Sequence, residues 1–171
     1  MNIFGVLEMI THLNYDVWEV VYRKGKVLRI EGDDKSKNNM FQLSVDMQTG
    51  TTTIRYDGTT LLCHYSQLSM MLSTLPKSSA SISRETYVLY YLCKHLRGMD
   101  INFHLVNSLS KSKGITYTFN NSFRIGVSFI DCESTPTQLC RVRYADKFLD
   151  VPYKDLIPQL LNLLATNNVL N

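Results

Sequence analysis

The sequence lacks the features that mark membrane proteins and disordered chains. It contains no uninterrupted run of about 20 apolar residues, the length that a membrane-spanning helix requires. Its apolar start has no basic residues before it and contains Glu8, so it does not resemble a secretory signal. With 44% hydrophobic residues and a net charge of only +3 over 171 residues, the composition is not that of a disordered chain. We expect a globular protein of the cytoplasm without membrane contact.

Disulfide patterns and linear catalytic motifs are also missing. The four cysteines, Cys63, Cys93, Cys132 and Cys140, form no CxxC pair, and a chain of 171 residues needs no disulfide framework, so we expect free, buried thiols. There is no phosphate-binding loop, dinucleotide-binding glycine motif, zinc-protease motif or nucleophile elbow. We therefore expect no enzymatic activity, no metal and no cofactor.

Histidine and cysteine offer no catalytic arrangement. Cys63 and His64 are neighbours on a predicted strand, so their side chains point to opposite faces and cannot form a nucleophile and base together. The four histidines have no metal-ligand spacing. His12 and His95 are instead predicted at the C-terminal ends of helices, where a cation is favourable.

Two acidic pairs are the remaining candidates for chemistry. Asp33–Asp34 and Asp131 with Glu133 could hold a cation or activate water. Both pairs are predicted in loops, where acidic residues are usually solvated. We favour that structural interpretation.

An internal match is the most informative feature of the sequence. Residues 54–75 align without gaps on residues 142–163, at an offset of 88 residues. Ile54 corresponds to Val142, and seven positions are identical: Arg55/Arg143, Tyr56/Tyr144, Leu61/Leu149, Tyr65/Tyr153, Leu68/Leu156, Leu72/Leu160 and Leu75/Leu163. Fixed spacing of the Arg-Tyr pair and the later tyrosine is difficult to obtain by chance, and it indicates a duplicated unit.

The first copy predicts a hairpin followed by a helix. Asp57-Gly58 between two apolar segments is typical of a type I′ turn, because both central residues need positive φ. Leu68, Leu72 and Leu75 follow at the i, i+4, i+7 spacing of one helix face.

The second copy predicts the same order of elements. Its turn is expected at Ala145-Asp146-Lys147, and its helix is expected to start near Asp155 as N-cap, because Pro158 is tolerated only in a first turn. Upstream, residues 41–45 resemble residues 123–127 at an offset of 82.

These patterns predict an α+β fold of two tandem pseudo-symmetric halves, each an antiparallel meander of about five strands flanked by helices. The halves comprise residues 1–76 and 84–171, joined by a serine-rich linker at 77–83, and are expected to pack as one compact unit through a continuous sheet or through their helices. The predicted strands lie near 16–23, 27–32, 40–47, 51–56, 59–63, 100–106, 115–119, 123–130, 138–144 and 147–151. The predicted helices lie at 2–13, 66–75, 84–97 and 155–166.

The helix at 84–97 has the strongest capping signals. Ser83 is its expected N-cap, and Gly98 is expected to end it in a left-handed conformation. Its apolar residues, with three tyrosines on the rest of the surface, predict burial on more than one side.

Basic residues suggest a binding surface. Residues 1–80 carry no net charge, whereas residues 81–171 carry +3. Arg141 and Arg143 should project from the same face of one strand, and Arg55 is the counterpart of Arg143 in the repeat. These arginines could hold phosphates or an acidic partner, or they could belong to a solvated face with cross-strand ion pairs.

Five further residues complete the candidate set. Two Lys-Ser-Lys triplets, with Lys35 and Lys37 in one and Lys111 and Lys113 in the other, are predicted in strand-connecting loops and hint at an anionic contact. Trp18, alternating with Val20 and Tyr22, could anchor an interface, although a core position is the commoner case.

We favour a non-catalytic intracellular regulatory or adaptor protein that binds another protein. The alternative is a nucleic-acid-binding protein that uses the arginines and the lysine loops, and its affinity should fall steeply with salt.

Overall fold

A computed structural model describes residues 2–97, 101–108, 114–130 and 138–169. Within these residues, ten strands form one antiparallel sheet in the order β10-β9-β8-β7-β6-β1-β2-β3-β4-β5. The strands are β1 Asp16–Arg23, β2 Val27–Asp34, β3 Asn39–Asp46, β4 Thr51–Tyr56, β5 Thr59–His64, β6 Phe103–Ser108, β7 Gly114–Phe119, β8 Phe123–Ile130, β9 Leu139–Tyr144 and β10 Lys147–Pro152. The predicted α+β class and antiparallel sheet are confirmed. All ten strands lie in one continuous sheet.

Four helices accompany the sheet in the described part of the chain. They are α1 Ile3–Thr11, α2 Leu68–Ser73, α3 Arg84–His95 and α4 Leu156–Thr166. The predicted helix 66–75 is longer than α2, because the 3-10 turn Tyr65–Gln67 precedes α2 and α2 ends at Ser73. The start predicted for α4 near Asp155 is present, after a second 3-10 turn at Tyr153–Asp155. Pro158 lies in the first turn of α4, as predicted.

The helix caps follow the sequence signals in part. The Ser83 hydroxyl accepts the Thr86 N–H at 3.2 Å and caps α3 as predicted. Asp155 occupies the N-cap position of α4, but its side chain makes no capping bond. His12 and His95 lie at the ends of α1 and α3, as predicted. The expected cap at Gly98 lies outside the described residues.

One continuous apolar core lies between the sheet and the helices. It contains alternate residues of the strands, such as Val20 and Leu105 on the central pair, together with the apolar faces of all four helices. Because helix and strand residues share this cluster, the helices lie on one face of the sheet. The opposite side chains of the strands are mostly exposed or half-buried, so no described element covers the second face.

Both predicted hairpin turns are present. Asp57 and Gly58 have φ of 50° and 71°, as a type I′ turn between β4 and β5 requires. Ala145 and Asp146 adopt φ of 46° and 61° between β9 and β10. The predicted three-residue turn is therefore one residue too long, because Lys147 already pairs with Tyr144 in the sheet.

A bulge in β1 changes the predicted position of Trp18. The pairing with β2 shifts between Val17 and Glu19, so the alternation of Trp18 with Val20 and Tyr22 is broken. Val20 and Tyr22 are buried, whereas Trp18 is half-buried. Gly32 lies opposite the bulge, and a Cβ there would lie 1.9 Å from the Asp16 carbonyl oxygen, so the close approach excludes any side chain.

The serine-rich segment 77–83 is packed against the residues between α1 and β1. The Ser78 N–H donates to the Leu13 carbonyl at 2.8 Å, and the Asn14 side chain donates to the Ala80 carbonyl at 2.8 Å. In the described part of the chain, no helix is both long enough and apolar enough to cross a membrane.

Candidate interaction surface on the uncovered sheet face

The uncovered face has a row of side chains that crosses all ten strands at one level. Neighbouring members of this row are register partners in each strand pair. From β10 to β5, the central row consists of Phe148, Arg143, Gly126, Thr116, Val106, Glu19, Glu31, Gln42, Arg55 and Thr60. The predicted arginine counterparts, Arg55 and Arg143, therefore lie at the same level, each on the strand next to a sheet edge.

Charge in the central row changes sign twice. Arg143 and Arg55 are exposed near its ends, and Glu19 and Glu31 face each other across β1 and β2 near its middle. Seven strand spacings separate the arginines, a distance of about 33 Å along the sheet. Glu19 also has His104 on β6 as a neighbour, at 3.4 Å between Oε1 and Nε2.

Arg141 projects from the same face as Arg143 but already has a partner. Its guanidinium makes two hydrogen bonds to the Asp150 carboxylate, at 2.8 and 3.1 Å, across the β9–β10 pair. It also lies over the Phe148 ring, 4.9 Å from the ring centroid. A cross-strand ion pair, one of the two alternatives predicted for these arginines, is therefore present at Arg141. This ion pair holds the pKa of Asp150 below its ordinary value.

A shallow cleft of about 560 Å³ opens beside Arg143. Arg124 on β8 lines it with Arg143, Phe148 and Lys147, and Gly126 forms part of the floor because it has no side chain. Among the described residues, neither Arg124 nor Arg143 has an ion-pair partner within 4.0 Å. Three basic residues therefore line the cleft, together with one acidic residue, Asp146. Arg124 was not among the residues predicted from sequence, although its period-two spacing with Gly126 on a predicted strand was a usable signal.

The lysine candidates separate into different environments. Lys35, in the β2–β3 turn, pairs its Nζ with the buried Asp16 carboxylate at 2.5 Å and is committed to an internal ion pair. Burial would raise the pKa of Asp16, but hydrogen bonds from Lys35, the Ser83 N–H and Thr86 outweigh it and lower that pKa. Lys37 is exposed in the same turn. Lys111 and Lys113 lie outside the described residues.

The Asp33–Asp34 pair was predicted in a loop, and that prediction is wrong. Both residues end β2, because the strand continues to pair with β3 through Asp34. Asp34 is fully buried and accepts hydrogen bonds from Ser36 and from the Tyr56 hydroxyl, so its pKa is lowered despite its burial.

Asp33 has the opposite shift. Its pKa is raised first by burial and then by the nearby Asp16 carboxylate, while a hydrogen bond from the Trp18 indole partly offsets the rise. The second acidic pair, Asp131 and Glu133, lies outside the described residues.

The cysteines of the described chain are free thiols, as predicted. Cys93 and Cys140 are buried and Cys63 is half-buried, while Cys132 lies outside the described residues. Burial raises the pKa of Cys140 to about 11 and raises that of Cys63 and Cys93 as well. The thiolate, which is the nucleophile, is therefore suppressed at neutral pH.

The helical side carries a second apolar surface. Tyr87 and Tyr91 on α3 lie 4.6 Å apart between ring centroids and are 42% and 41% exposed. They separate a cleft of about 410 Å³ beside α4 from one of about 390 Å³ beside α1. A hydrogen bond with Tyr91, together with burial, raises the pKa of Tyr87 to about 12.

Among the residues that the structure describes, no group of three or more histidine, cysteine, aspartate or glutamate side chains could hold a metal ion.

Comparison with known proteins found no matching family model, no matching curated protein and no matching solved structure.

Proposed function

We propose that this chain is a non-catalytic intracellular regulatory or adaptor protein that binds another protein through the uncovered sheet face. The observation that carries the proposal is the central row, where exposed arginines lie near both ends and a glutamate pair lies in the middle. Apolar side chains lie among these charges. Val106 in the row is 41% exposed and Phe148 is 65% exposed, and mixed apolar and charged surfaces of this kind are common at protein interfaces.

The sign changes along the row favour a protein partner over a nucleic acid. A nucleic-acid backbone presents negative charge throughout, so a duplex or strand laid across the face would bring phosphates near Glu19 and Glu31. Carboxylates and phosphates repel each other because both are negative, whereas a protein partner can offer a basic centre between acidic ends. Complementarity of this kind would also fix the register of the partner on the face.

The test first identifies a partner and then measures how charge variants of the central row bind it. Co-purification of the tagged full chain from its host, with nuclease treatment of half the eluate, identifies proteins that remain without nucleic acid. Binding of the purified candidate is then measured for Glu19→Gln/Glu31→Gln and Arg55→Gln/Arg143→Gln. We expect both double variants to weaken binding about tenfold or more, because each removes two interfacial charges.

A matched control separates the surface from general charge effects. Arg97, 71% exposed, pairs with Glu8 of α1 on the helical side of the molecule. Arg97→Gln should leave binding within about twofold, because rim or remote charges contribute little. Loss of binding in Arg97→Gln with retention in both double variants contradicts the proposal.

Nucleic-acid binding is the second candidate, and the Arg124–Arg143 cleft is the observation that favours it. On this alternative, Glu19→Gln/Glu31→Gln strengthens binding, because it removes charges that repel phosphate. The same variant weakens binding to a protein partner with a basic centre. The sign of this effect therefore discriminates between the two candidates, and so does salt-sensitive retention of the pure protein on DNA or RNA.

We also propose that the two halves, 1–76 and 84–171, arose by duplication. The pairings Ile54–Leu61 and Val142–Leu149 correspond at the predicted offset of 88. A 2.9 Å backbone bond recurs at the same offset, from Tyr65 N–H to Gly50 and from Tyr153 N–H to Gln138. An experimental structure in which these segments do not superpose would overturn the proposal.

The upstream correspondence needs adjustment under this proposal. Leu43 pairs with Ile54, and Val127 pairs with Val142, which relates β3 to β8 by 84 residues instead of the 82 that the sequence match gives. The connection before β9 is therefore four residues longer than the connection before β4, instead of the six that an offset of 82 implies.

A further inference from the structure

The strand β5 forms one edge of the sheet and presents unpaired backbone groups. In a hairpin with a two-residue turn, the two residues that flank the turn exchange backbone hydrogen bonds. Every second cross-strand pair beyond them does the same. The bond from the Tyr65 N–H to the Gly50 carbonyl continues this series at 2.9 Å. The N–H and C=O groups of Thr60, Leu62 and His64 therefore point away from β4.

Within the described residues, one of these N–H groups has an acceptor. The His64 N–H donates to Gln67 Oε1 at 3.2 Å. In the described part of the chain, no hydrogen bond from the N–H of Thr60 or Leu62 is present. The edge is therefore open over its middle.

The opposite edge, β10, is blocked at the corresponding positions. Asp150 replaces Leu62 at the offset of 88 and holds Arg141 in an ion pair, which places charge on the edge. Pro152 replaces His64 and has no N–H to donate. Charges and proline are the usual protection of edge strands against pairing, and β5 has neither.

Apolar side chains are exposed on β5 and in the residues that follow it. Leu62 is 73% exposed, and Tyr65 and Met70, which follow it in the chain, are 39% and 59% exposed. The strand Thr59–His64 contains no charged residue, so two copies of it would not repel each other.

We propose that β5 pairs antiparallel with β5 of a second copy of this chain, with the two-fold axis at Leu62. In this register, Leu62 of each copy exchanges both of its backbone bonds with Leu62 of the other. The Thr60 N–H donates to the His64 carbonyl of the second copy, so the free groups are used without displacing Gln67. Exposed Leu62 side chains meet on the uncovered face, and a two-fold contact of this kind closes at the dimer.

A second copy fits this edge because the strand is complementary to itself. Pairing about Leu62 places an apolar residue against its own equivalent and threonine against histidine, with no charge left unpaired. The central row reaches this strand at Thr60. The dimer is tested by variants of Leu62, whereas partner binding is tested by charge variants of the central row, so the two proposals can fail independently.

The oligomeric state of the full chain tests the pairing. Sedimentation velocity over a concentration series should show a monomer–dimer equilibrium, and Leu62→Lys should shift it to monomer at every concentration. Phe148→Lys is the matched control, because Phe148 is 65% exposed on the other edge strand. It should leave the dimer unchanged. A wild-type chain that remains monomeric, or a dimer lost only in Phe148→Lys, overturns the proposal.

Disulfide capture tests the register without relying on a destabilising variant. In a Cys63→Ser background, Leu62→Cys should give a covalent dimer, because opposed residues in this pairing have Cα atoms about 5.5 Å apart. Thr60→Cys is the control, since its Cα atoms would lie about 13 Å apart across the axis. Crosslinking of Thr60→Cys but not Leu62→Cys overturns the proposed register.

Discussion

At one end of the sheet, Asp57-Gly58 joins β4 to β5, and at the other, Ala145-Asp146 joins β9 to β10. Both turns use positive φ at two residues, and both hairpins lead through a 3-10 turn into a leucine-bearing helix. The surfaces differ. The β10 edge carries an Arg141–Asp150 ion pair and a proline, whereas the β5 edge is uncharged and exposes Leu62. Two hairpins with the same turn geometry therefore differ at their edges: β10 is protected by charge and proline, and β5 is open. The side chains, and not the turns, make this difference.

The largest effects should come from the residues that the two ends share. Leu72 and Leu160 are 2% and 1% exposed, each on the buried face of its helix. We expect Leu72→Ala and Leu160→Ala each to lower the unfolding free energy by about 2–5 kcal/mol, because each leaves a cavity in the same core. Urea unfolding followed by circular dichroism checks both variants.

The control for this pair is Met70→Ala. Met70 is 59% exposed on α2, so its truncation should change the unfolding free energy by no more than about 0.5 kcal/mol. A single transition in both leucine variants is expected, because both leucines belong to one core. Two separated transitions in either variant would show that the ends unfold independently.

The next effect distinguishes matched tyrosines. The Tyr56 hydroxyl donates to the buried Asp34 carboxylate at 2.8 Å, whereas the Tyr144 hydroxyl makes no hydrogen bond within the described residues. Tyr56→Phe should cost about 1–3 kcal/mol at pH 7, because a buried carboxylate loses a donor. Tyr144→Phe should cost less than about 0.5 kcal/mol. Equal losses of unfolding free energy in Tyr56→Phe and Tyr144→Phe would contradict the difference in hydrogen bonding between the two tyrosines.

The pH dependence of Tyr56→Phe has a definite sign. Hydrogen bonds hold the pKa of Asp34 below its ordinary value of 3.8, so its stabilising contribution is complete above pH 3.8 and is lost as pH falls through the lowered pKa. Tyr56→Phe raises that pKa. The difference in unfolding free energy from the wild type should therefore shrink at acidic pH, and denaturant titrations across that range measure it.

The elements predicted from sequence are those set by local chemistry. Asp57-Gly58 identified its turn because positive φ is rare outside glycine and asparagine-like residues, and Ser83 identified a helix start by its capping oxygen. Trp18 was misplaced because a bulge depends on the close approach of Gly32 and Asp16 across two strands.

The arrangement of the candidate surface was less accessible to sequence. The shared face of Arg141 and Arg143 follows from period-two alternation. The central row does not, because it joins Arg55, Glu19 and Arg143 through seven separate registers. Lys35 was predicted in a strand-connecting loop that hinted at an anionic contact, whereas the β2–β3 turn places its ammonium group beside the buried Asp16 carboxylate. Long-range pairing decides which charges meet, and no local pattern encodes it.

The smallest effect concerns the ion pair that marks the protected edge. Hydrogen bonding and charge from Arg141 hold the pKa of Asp150 below its ordinary value of 3.8. Arg141→Ala should raise that pKa toward its ordinary value, measured by carbon-13 NMR of the carboxyl group over a pH series. Arg143→Ala, one alternation along β9, is the control and should leave the pKa low. Because a depressed carboxylate pKa adds stability only above it, melting temperatures of the wild type and Arg141→Ala should converge as pH falls. A low Asp150 pKa that persists in Arg141→Ala would show that the protected edge does not depend on this ion pair.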